Sequence, residues 1–451
     1  MIPKIMEKLN RRTDDKGGAC YTEPMEQSRN EPNVFLIGMG MAGAGSLGAR
    51  ARESIGRAAL VIGSSRMVDA AEPLTRARTE KTHDTEKIVA LVMDFLSLKP
   101  GRADESGTRP CCVLFSGDTG FFSGASALSN RLAQLGVEFE LIPGISTFQA
   151  VAAKLRKHYE NWNFVSLHAE SRPFLPEIMA ARETFILLGG KTTARDIIRE
   201  LSRQLFSGTV TVVRDVCLPG ERLHFVRMDG GMTEDGVPPD CPGSSTLCAL
   251  LVENDGFIPR RAGAIGDGEF ARAERVPMTK QLARSAIVSL LRPSDGETIW
   301  DVGSGTGAVS VDIARSCKCS LFSVERNQDA LAVQILNKKK FNALNMTVVA
   351  GAAPDALGQL PAPDAVFVGG SGGRLRAIVD AVRGKNKAAR ILVAAVTLET
   401  LGACEAVARE TGMEIDAAQV SVARTRVLAG RRLLGAENPV WLVRLGGGAG
   451  T

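Results

Sequence analysis

One stretch of this chain combines an acid with closely spaced glycines, a pattern that suits binding of a nucleotide-type cofactor. In order, the stretch contains Asp301, Val302, Gly303, Ser304, Gly305, Thr306 and Gly307. It follows a predicted strand and opens a predicted helix. Glycines let the backbone approach a ligand closely, and the first turn of a helix offers N–H groups without intrahelical partners. The stretch therefore predicts a cofactor loop.

Two acids bear on the identity of the cofactor. The loop also satisfies the dinucleotide pattern G-x-G-x-x-A, so by itself it leaves NAD and S-adenosylmethionine (SAM) open. Glu325 ends the next predicted strand, where a carboxylate can accept hydrogen bonds from the ribose hydroxyls of either cofactor. Asp301 favours SAM, because a carboxylate is well placed near the cationic amino-acid end of SAM and poorly placed beside the pyrophosphate of NAD. The alternatives are helix capping by Asp301 and pairing of Glu325 with Arg326.

Three loops in the first half also follow predicted strands and offer backbone N–H groups or hydroxyls. Their candidate residues are Gly38 and Gly40, Gly117 and Asp118, and Ser146 and Thr147. The first loop matches G-x-G-x-x-G, but no acid ends the following strand, so a tight structural turn competes with a dinucleotide site. Because ligands bind at the carboxyl ends of parallel strands, we expect these loops to line a cleft.

These loops need two α/β regions to position them. Apolar, β-rich runs such as 33–38 and 112–116 alternate with helical patterns, which predicts a parallel sheet. Strand candidates between 163 and 253 predict a second, mixed lobe. The alternation then begins again with an amphipathic helix over 278–291 and a strand over 297–302, which predicts a doubly wound, Rossmann-like domain.

The predicted domain organisation has four segments. A stretch rich in Gly, Pro and charged residues separates the two α/β regions and is typical of a linker. The segments are a disordered leader over 1–31, a domain over 32–253 with lobes of about 32–141 and 142–253, a linker over 254–268, and a Rossmann-like domain over 269–451.

The composition argues against several classes of function. The 451 residues include 55 Lys and Arg against 50 Asp and Glu, and the net charge of +5 is too mild and scattered for nucleic-acid binding. No apolar run approaches the roughly 20 residues of a membrane span. Nine scattered Cys and four widely separated His predict reduced thiols in a cytoplasm and no metal site.

Several stretches resemble known families. VFLIGMG, VLFSGDTGFFSGA and LIPGISTFQAVAAKL in the first half are similar to the tetrapyrrole methylases. IWDVGSGTGAVSVDIA, GAAPDAL and PDAVFVGGSGG in the second half resemble the C15-methylating, decarboxylating precorrin methyltransferases. The resemblance extends over roughly residues 33–444, and both halves in this order resemble the bifunctional precorrin methyltransferases of cobalamin biosynthesis.

This resemblance implies a SAM-dependent enzyme that methylates an anionic precorrin at ring carbons 5 and 15, removes CO2 from an acetate side chain and gives precorrin-8. It implies a tetrapyrrole methylase fold followed by a class I SAM methyltransferase fold. In the second domain it assigns SAM contacts to Thr279, Gly303 to Gly307, Glu325 and Ala353. In the first it assigns them to Gly117, Asp118, Ser146 and Thr147, and the candidate substrate contacts are Gly38, Gly40, Gly369, Gly370 and Ser371.

Two positions depart from the family pattern. Met41 stands where the first loop usually carries Pro, and Ala169-Glu170 stand where Gly-Arg usually follows the histidine, here His168. A substrate with many carboxylates also predicts arginines at the pocket mouths. The candidates by sequence position are Arg272, Arg275, Arg374 and Arg424, each with solvated surface arginine as the alternative.

Two other functions stay open at this point. One is an NAD-linked oxidoreductase with two Rossmann-like domains, and the other is a non-catalytic tetrapyrrole carrier. We also expect the chain to form a homo-oligomer.

Overall fold

The computed structural model describes residues 32–97, 109–167, 173–189, 191–231, 248–259 and 263–446. The predicted leader over 1–31 and the segment around His168 lie outside these residues. Contacts divide the chain into two compact units. The first contains the described residues up to Gly38 together with Leu47–Pro143, and the second contains Met39–Ser46 and the described residues from Gly144 onward.

The first unit contains a five-stranded parallel sheet. Its strands are β1 (Val34–Gly38), β2 (Leu60–Gly63), β3 (Arg78–Lys81), β4 (Cys111–Phe115) and β5 (Glu140–Ile142). Its helices are α1 (Ala49–Arg57), α2 (Ser65–Ala71), α3 (Thr85–Ser97) and α4 (Ala125–Gln134). The strand order is β3-β2-β4-β1-β5. β1 is buried along its whole length, as the uninterrupted apolar run predicts for a strand covered on both faces.

A second sheet belongs to the second unit and is mostly antiparallel. Its strands are β6 (Asn163–Ser166), β7 (Glu183–Leu187), β8 (Ser207–Arg214), β9 (Arg222–Asp229) and β10 (Cys248–Asn254). The associated helices are α5 (Thr147–Leu155), α6 (Leu175–Met179) and α7 (Ala194–Arg203). The order is β6-β7-β10-β8-β9, and the β6–β7 pair is parallel. This is the mixed lobe that the sequence predicts.

The third sheet carries the predicted cofactor loop. Its strands are β11 (Thr298–Val302), β12 (Ser320–Glu325), β13 (Met346–Ala350), β14 (Ala365–Val368), β15 (Arg390–Ala395), β16 (Ile415–Val420) and β19 (Val440–Leu445). Strands β17 (Ala423–Leu428) and β18 (Arg431–Ala436) form a separate hairpin. Its helices are α8 (Gln281–Leu291), α9 (Ala308–Ser316), α10 (Gln328–Lys340), α11 (Leu375–Lys385) and α12 (Leu398–Thr411).

The order of this sheet confirms the doubly wound prediction. It reads β13-β12-β11-β14-β15-β19-β16, with parallel pairing from β13 to β15 and antiparallel pairing of β19 with both neighbours. The chain direction across the sheet reverses between β11 and β14. In such sheets the carboxyl ends of the strands at this reversal open a crevice for ligands.

The second and third sheets share a packed boundary within the second unit. Leu344, which follows α10, belongs to the hydrophobic core of the second sheet. Asn342 donates a hydrogen bond to Asn254 at 3.1 Å, and Lys318 pairs with Glu177 at 2.6 Å. The division into four segments, including a linker over 254–268, stays a prediction.

A segment that we call the strap, residues 263–279, contacts helices α8, α9 and α10 and is held by one buried arginine. Arg284 on α8 has no exposed surface, and it pairs with Asp312 at 2.6 Å and with Asp267 at 2.7 Å. Its guanidinium also donates to the carbonyls of Ile265 and Thr279. A buried guanidinium is tolerated when its donors are satisfied, so the strap has a fixed course.

Some elements differ from the sequence-based expectation. The predicted helix over 278–291 begins at Gln281, because Lys280 is extended and the preceding residues belong to the strap. Strands β3, β5, β16 and β19 and the hairpin were not predicted. Apart from β19 they are short or exposed, and such strands carry little apolar signal. Within the part of the chain that the structure describes, no helix combines the length and apolarity needed to cross a bilayer.

Candidate functional site

The predicted cofactor loop runs from the end of β11 to the start of α9. Gly303, Gly305 and Gly307 have φ values of +71°, +54° and +73°. This left-handed region is costly for residues that carry a side chain. The carbonyl of Val324 accepts hydrogen bonds from the N–H groups of Gly303 at 2.9 Å and Ser304 at 3.2 Å, which fixes the loop against β12.

The loop also lies directly against the segment that follows β14. A Cβ atom on Gly303 would lie 2.7 Å from the backbone nitrogen of Gly370 and 2.8 Å from its Cα. The N–H of Gly369 donates to the carbonyl of Val302 at 2.9 Å. Only a hydrogen atom fits between these segments, so together they close the floor of the crevice.

Glu325, the last residue of β12, has its carboxylate fixed by three backbone N–H groups. Its Oε2 accepts from Gly305 at 2.9 Å, and its Oε1 accepts from Arg326 and Asn327, both at 2.9 Å. An ionised carboxylate offers about four acceptor positions, so capacity for a ligand hydroxyl remains. The carboxylate is therefore held in place before any ligand binds, and none of these three contacts is an ion pair.

Asp301 lies beneath the loop, with no exposed surface. Its Oδ2 accepts a hydrogen bond from Ser310, whose Oγ lies 2.9 Å from Ser323 Oγ, while its Oδ1 has no partner among the described residues. Burial raises the pKa of Asp301 to about 7; the hydrogen bond from Ser310 opposes this shift and the charge of Glu325 adds to it. The carboxyl is thus poised between its two protonation states near neutral pH.

Two buried amides on α10 support the loop from below. Gln334 accepts from Ser323 at 2.8 Å and donates to Ser304 Oγ at 2.7 Å and to the Gly305 carbonyl at 2.8 Å. Asn337 donates to the carbonyl of Thr306 at 2.9 Å. The sequence analysis missed both residues. Their signal was two amides three positions apart on a helix face that also carries Ala330, Leu331 and Val333. Buried amides are unusual unless each has a hydrogen-bond partner.

A cavity of about 320 Å³ opens over the loop. This volume lies within the range of small-molecule sites, roughly 300–1,000 Å³. Its lining comes from the strap, from the ends of the strands β11 to β14 and from the segments that follow them. The lining residues that carry side-chain charge are Arg275, Glu325, Arg326 and Arg374.

The structure brings seven of the predicted second-half residues to this cavity. They are Gly303, Gly305, Glu325, Ala353, Gly369, Gly370 and Ser371. Five others do not line it: Thr279, Asp301, Ser304, Thr306 and Gly307. Ser304 faces Gln334, and the carbonyl of Thr279 accepts from Arg284. Direct contacts of these twelve residues stay predictions, with substrate for Gly369, Gly370 and Ser371 and with the cofactor for the other nine.

The predicted first-half residues are divided between the two compact units. Gly38, Gly117 and Asp118 belong to the first unit, where Gly38 ends β1 and Asp118 Oδ2 accepts from the N–H of Gly120 at 3.0 Å. Gly40, Ser146 and Thr147 belong to the second. Their roles in binding SAM or substrate stay predictions.

Met41, the departure in the first loop, has a defined place in the second unit. Its side chain is buried, and its Sδ accepts a hydrogen bond from Thr147 Oγ1 at 3.3 Å. Ser146 caps α5 reciprocally with Gln149, so the start of this helix is fixed. The thioether therefore packs against the predicted cofactor residue Thr147 without disrupting the helix terminus.

Comparisons with known proteins match both halves of the chain. Residues 33–229 match the tetrapyrrole (corrin/porphyrin) methylases, and residues 270–445 match the precorrin methyltransferase domain. A probable cobalt-precorrin-6B C(15)-methyltransferase (decarboxylating) from Pyrobaculum calidifontis is 37% identical over 41% of this chain and 96% of that protein.

Similarity to one relative extends across both halves. A precorrin-6Y C(5,15)-methyltransferase [decarboxylating] from Sinorhizobium sp is 26% identical over 82% of this chain and 86% of that protein. A crystal structure of precorrin-6Y C5,15-methyltransferase from Geobacter metallireducens GS-15 matches 41% of this chain and 98% of its own, with 37% identity and a TM-score of 0.39.

Gly303 and Gly373 form a matched pair for testing the close approach. Both have left-handed backbone, with φ of +71° and +77°, but a Cβ on Gly373 meets nothing within 4 Å. We expect Gly373→Ala to lower the free energy of unfolding by about 1–2 kcal/mol from backbone strain. Gly303→Ala should lower it by about 2–5 kcal/mol, because a clash adds to the strain. Denaturant unfolding followed by tryptophan fluorescence measures both; equal losses would contradict the close approach.

The raised pKa of Asp301 predicts a pH-dependent stability. In the folded chain this pKa is about 7, whereas an unfolded Asp titrates near 3.9, so the folded state binds the proton more tightly. Its stabilising contribution is fully present below about pH 4 and declines as the pH rises to about 7, by up to about 4 kcal/mol.

Asp301→Asn removes this titration. The free energy of unfolding of the variant minus that of the unsubstituted chain should therefore rise between about pH 4 and 7 and level off above about pH 8. Parallel stability curves for Asp301→Asn and the unsubstituted chain would show that Asp301 titrates normally.

Proposed function

The chain belongs to the precorrin methyltransferase family, and on that premise we propose that it methylates a precorrin at ring carbons 5 and 15 in cobalamin biosynthesis. It is a methyltransferase that also decarboxylates, removing an acetate carboxylate so that the product is precorrin-8. The observation that supports the proposal most directly is the second-half cavity, which is lined by Gly303 and Gly305 and has the carboxylate of Glu325 fixed at its edge. The two alternatives from the sequence, an oxidoreductase and a carrier, are not favoured by the relatives.

We propose SAM as the cofactor, and the residues of the second-half cavity fit it. Gly303 and Gly305 line the cavity, so a ligand there can approach the backbone closely, and Glu325 retains acceptor capacity for ribose hydroxyls. Ala353, beyond β13, would lie along the same ligand. When bound, SAM supplies an electrophilic methyl group on a sulfonium.

The contribution of the chain to such chemistry is positional. Methyl transfer to a ring carbon requires carbon, methyl and sulfur in line, and holding reactants in this way is worth about 7–11 kcal/mol. The fixed loop, the preplaced carboxylate and the strap provide a rigid wall for this purpose. For decarboxylation, the conjugated macrocycle accepts the electron pair, and the chain assists by moving the carboxylate out of water.

We assign carbon 15 to the second half and carbon 5 to the first. The relative that matches 41% of this chain is named for carbon 15, and the relative that matches 82% of it is named for both carbons. The precorrin methyltransferase domain lies at residues 270–445, in the second half. The first-half residues proposed to bind SAM are Gly117, Asp118, Ser146 and Thr147, with Gly38 and Gly40 toward substrate. In the second half Gly369, Gly370 and Ser371 are proposed to contact substrate.

We further propose a homo-oligomer and a cytoplasmic location. Among the described residues the hairpin β17–β18 pairs with no other strand, and its apolar residues Val427, Leu428 and Leu434 are 72%, 61% and 77% exposed. Apolar side chains grouped on an exposed element are typical of a protein interface. The cytoplasmic proposal rests on the cysteines, since none of the seven in the described residues forms a disulfide with another of them.

Product mass tests the function directly. Incubated with SAM and metal-free precorrin-6Y, the full chain should give a product heavier by two methyl groups and lighter by one CO2, as read by mass spectrometry. NAD binding without SAM binding in isothermal titration calorimetry, or an unchanged precorrin, would refute the assignment.

The Glu325→Ala variant assigns one reaction to the second-half cavity. It should weaken SAM binding at one of two sites by about tenfold, the effect of losing a charge-assisted hydrogen bond. Methylation at carbon 15 and loss of CO2 should slow while methylation at carbon 5 continues. Glu405→Ala, at an exposed residue of α12, is the control. Unchanged SAM affinity at both sites in Glu325→Ala would place the second-half site elsewhere.

A further inference from the structure

The second-half cavity carries an excess of positive charge. Three of its lining residues are arginines, Arg275, Arg326 and Arg374, and the single lining acid is Glu325. That carboxylate is already bound by three backbone N–H groups. Its single negative charge offsets one of the three guanidinium charges, so the lining keeps a net positive charge that faces whatever enters the cavity.

Arg275 and Arg326 are both exposed, and neither guanidinium has a hydrogen bond or ion pair within the described part of the chain. Arg374 pairs with Asp355 at 3.0 Å, but the side chain of Asp355 is 77% exposed. By contrast, the guanidinium of Arg284 elsewhere in the domain is fully engaged. A guanidinium carries five N–H donors, so the first two arginines offer unused donors at the cavity.

The backbone places these two arginines on separate walls of the same opening. Arg275 lies on the strap with φ of +67°, two residues before Pro277, whose carbonyl oxygen would lie 3.0 Å from a Cβ on Gly305. Arg326 directly follows β12, and its Nη1 lies 4.0 Å from the position that a Cβ atom on Gly372 would take. Arg275 thus lies beside the loop after β11, and the guanidinium of Arg326 extends toward the segment after β14.

SAM and the tetrapyrrole differ in charge, so we expect them to bind different side chains. SAM has one carboxylate but also a sulfonium and an ammonium, so a strongly positive opening does not favour it. A tetrapyrrole with acetate and propionate side chains presents several carboxylates, which guanidinium groups bind through paired N–H donors. We propose that Arg275 and Arg326 bind side-chain carboxylates of the tetrapyrrole and select a polyanionic substrate for the second-half reaction, an inference that rests on the proposed function.

The test uses the full chain with Arg275→Gln, Arg326→Gln and the double variant. Arg409→Gln is the matched control, because Arg409 is 72% exposed and pairs with Glu405 on α12. Each cavity variant should raise the KM for metal-free precorrin-6Y in carbon 15 methylation by about tenfold, with kcat changed less than about twofold. The Kd of SAM, measured by isothermal titration calorimetry, and carbon 5 methylation should stay constant.

Two further measurements separate carboxylate recognition from a general structural effect. Arg326→Lys keeps the charge but loses the planar pair of donors, so its KM should fall between those of Arg326→Gln and the unsubstituted chain. Added salt should raise the KM of the unsubstituted chain more than that of the double variant, since the removed charges are exposed and screened.

Several results would overturn the inference. An unchanged KM in the double variant would show that these arginines do not contact the substrate. A rise in the Kd of SAM equal to the rise in KM would assign them to the cofactor carboxylate instead. Absence of methyl transfer by the unsubstituted chain, despite SAM binding, would refute the proposed function itself and with it this inference.

Discussion

The close approach of two backbone segments, the loop after β11 and the segment after β14, is the constraint on which the rest of the site depends. Gly303 and Gly370 meet where the chain direction across the third sheet reverses, and their separation leaves no room for a side chain. This contact sets the floor of the cavity and the direction in which the chain enters α9. The same contact brings the N–H of Gly305 to the carboxylate of Glu325. The lack of room for a side chain at Gly303 therefore helps to position both the backbone and the side chains of the site.

A buried polar chain beneath the loop makes this arrangement rigid. Asp301, Ser310, Ser323 and Gln334 follow one another through hydrogen bonds and end on the carbonyl of Gly305. Buried polar atoms are usually paired, so the unpaired Oδ1 of Asp301 is a local exception. A buried carboxyl with a shifted pKa is more common at functional sites than elsewhere. Asp301 lies below the loop after β11 and does not line the cavity, whereas the arginines lie at its opening.

The second unit joins this site to the neighbouring lobe through ordinary packing and a few polar contacts. Leu344 contributes to the core of the second sheet, and Lys338 at the end of α10 donates to Gln204 on the side of the second sheet. Burial lowers the pKa of Lys338 to about 8, with Glu200 opposing the shift. Helix α10 therefore has two functions in the fold: its buried amides support the loop after β11, and its last turn contacts the lobe that precedes the strap.

The sequence by itself determined the α/β alternation, the doubly wound order of the third region and the position of the glycine loop and Glu325, because these depend on local periodicity and on residue types adjacent in the chain. Only the tertiary structure decided that Asp301 lies under the loop, that Gln334 and Asn337 support it, and that Arg326 is turned toward the cavity and not paired with Glu325. The strap replaced the first turn of a predicted helix because Arg284 binds the carbonyl of Thr279. Burial depth and unpaired charge follow from contacts between residues distant in sequence, and no local pattern encodes them.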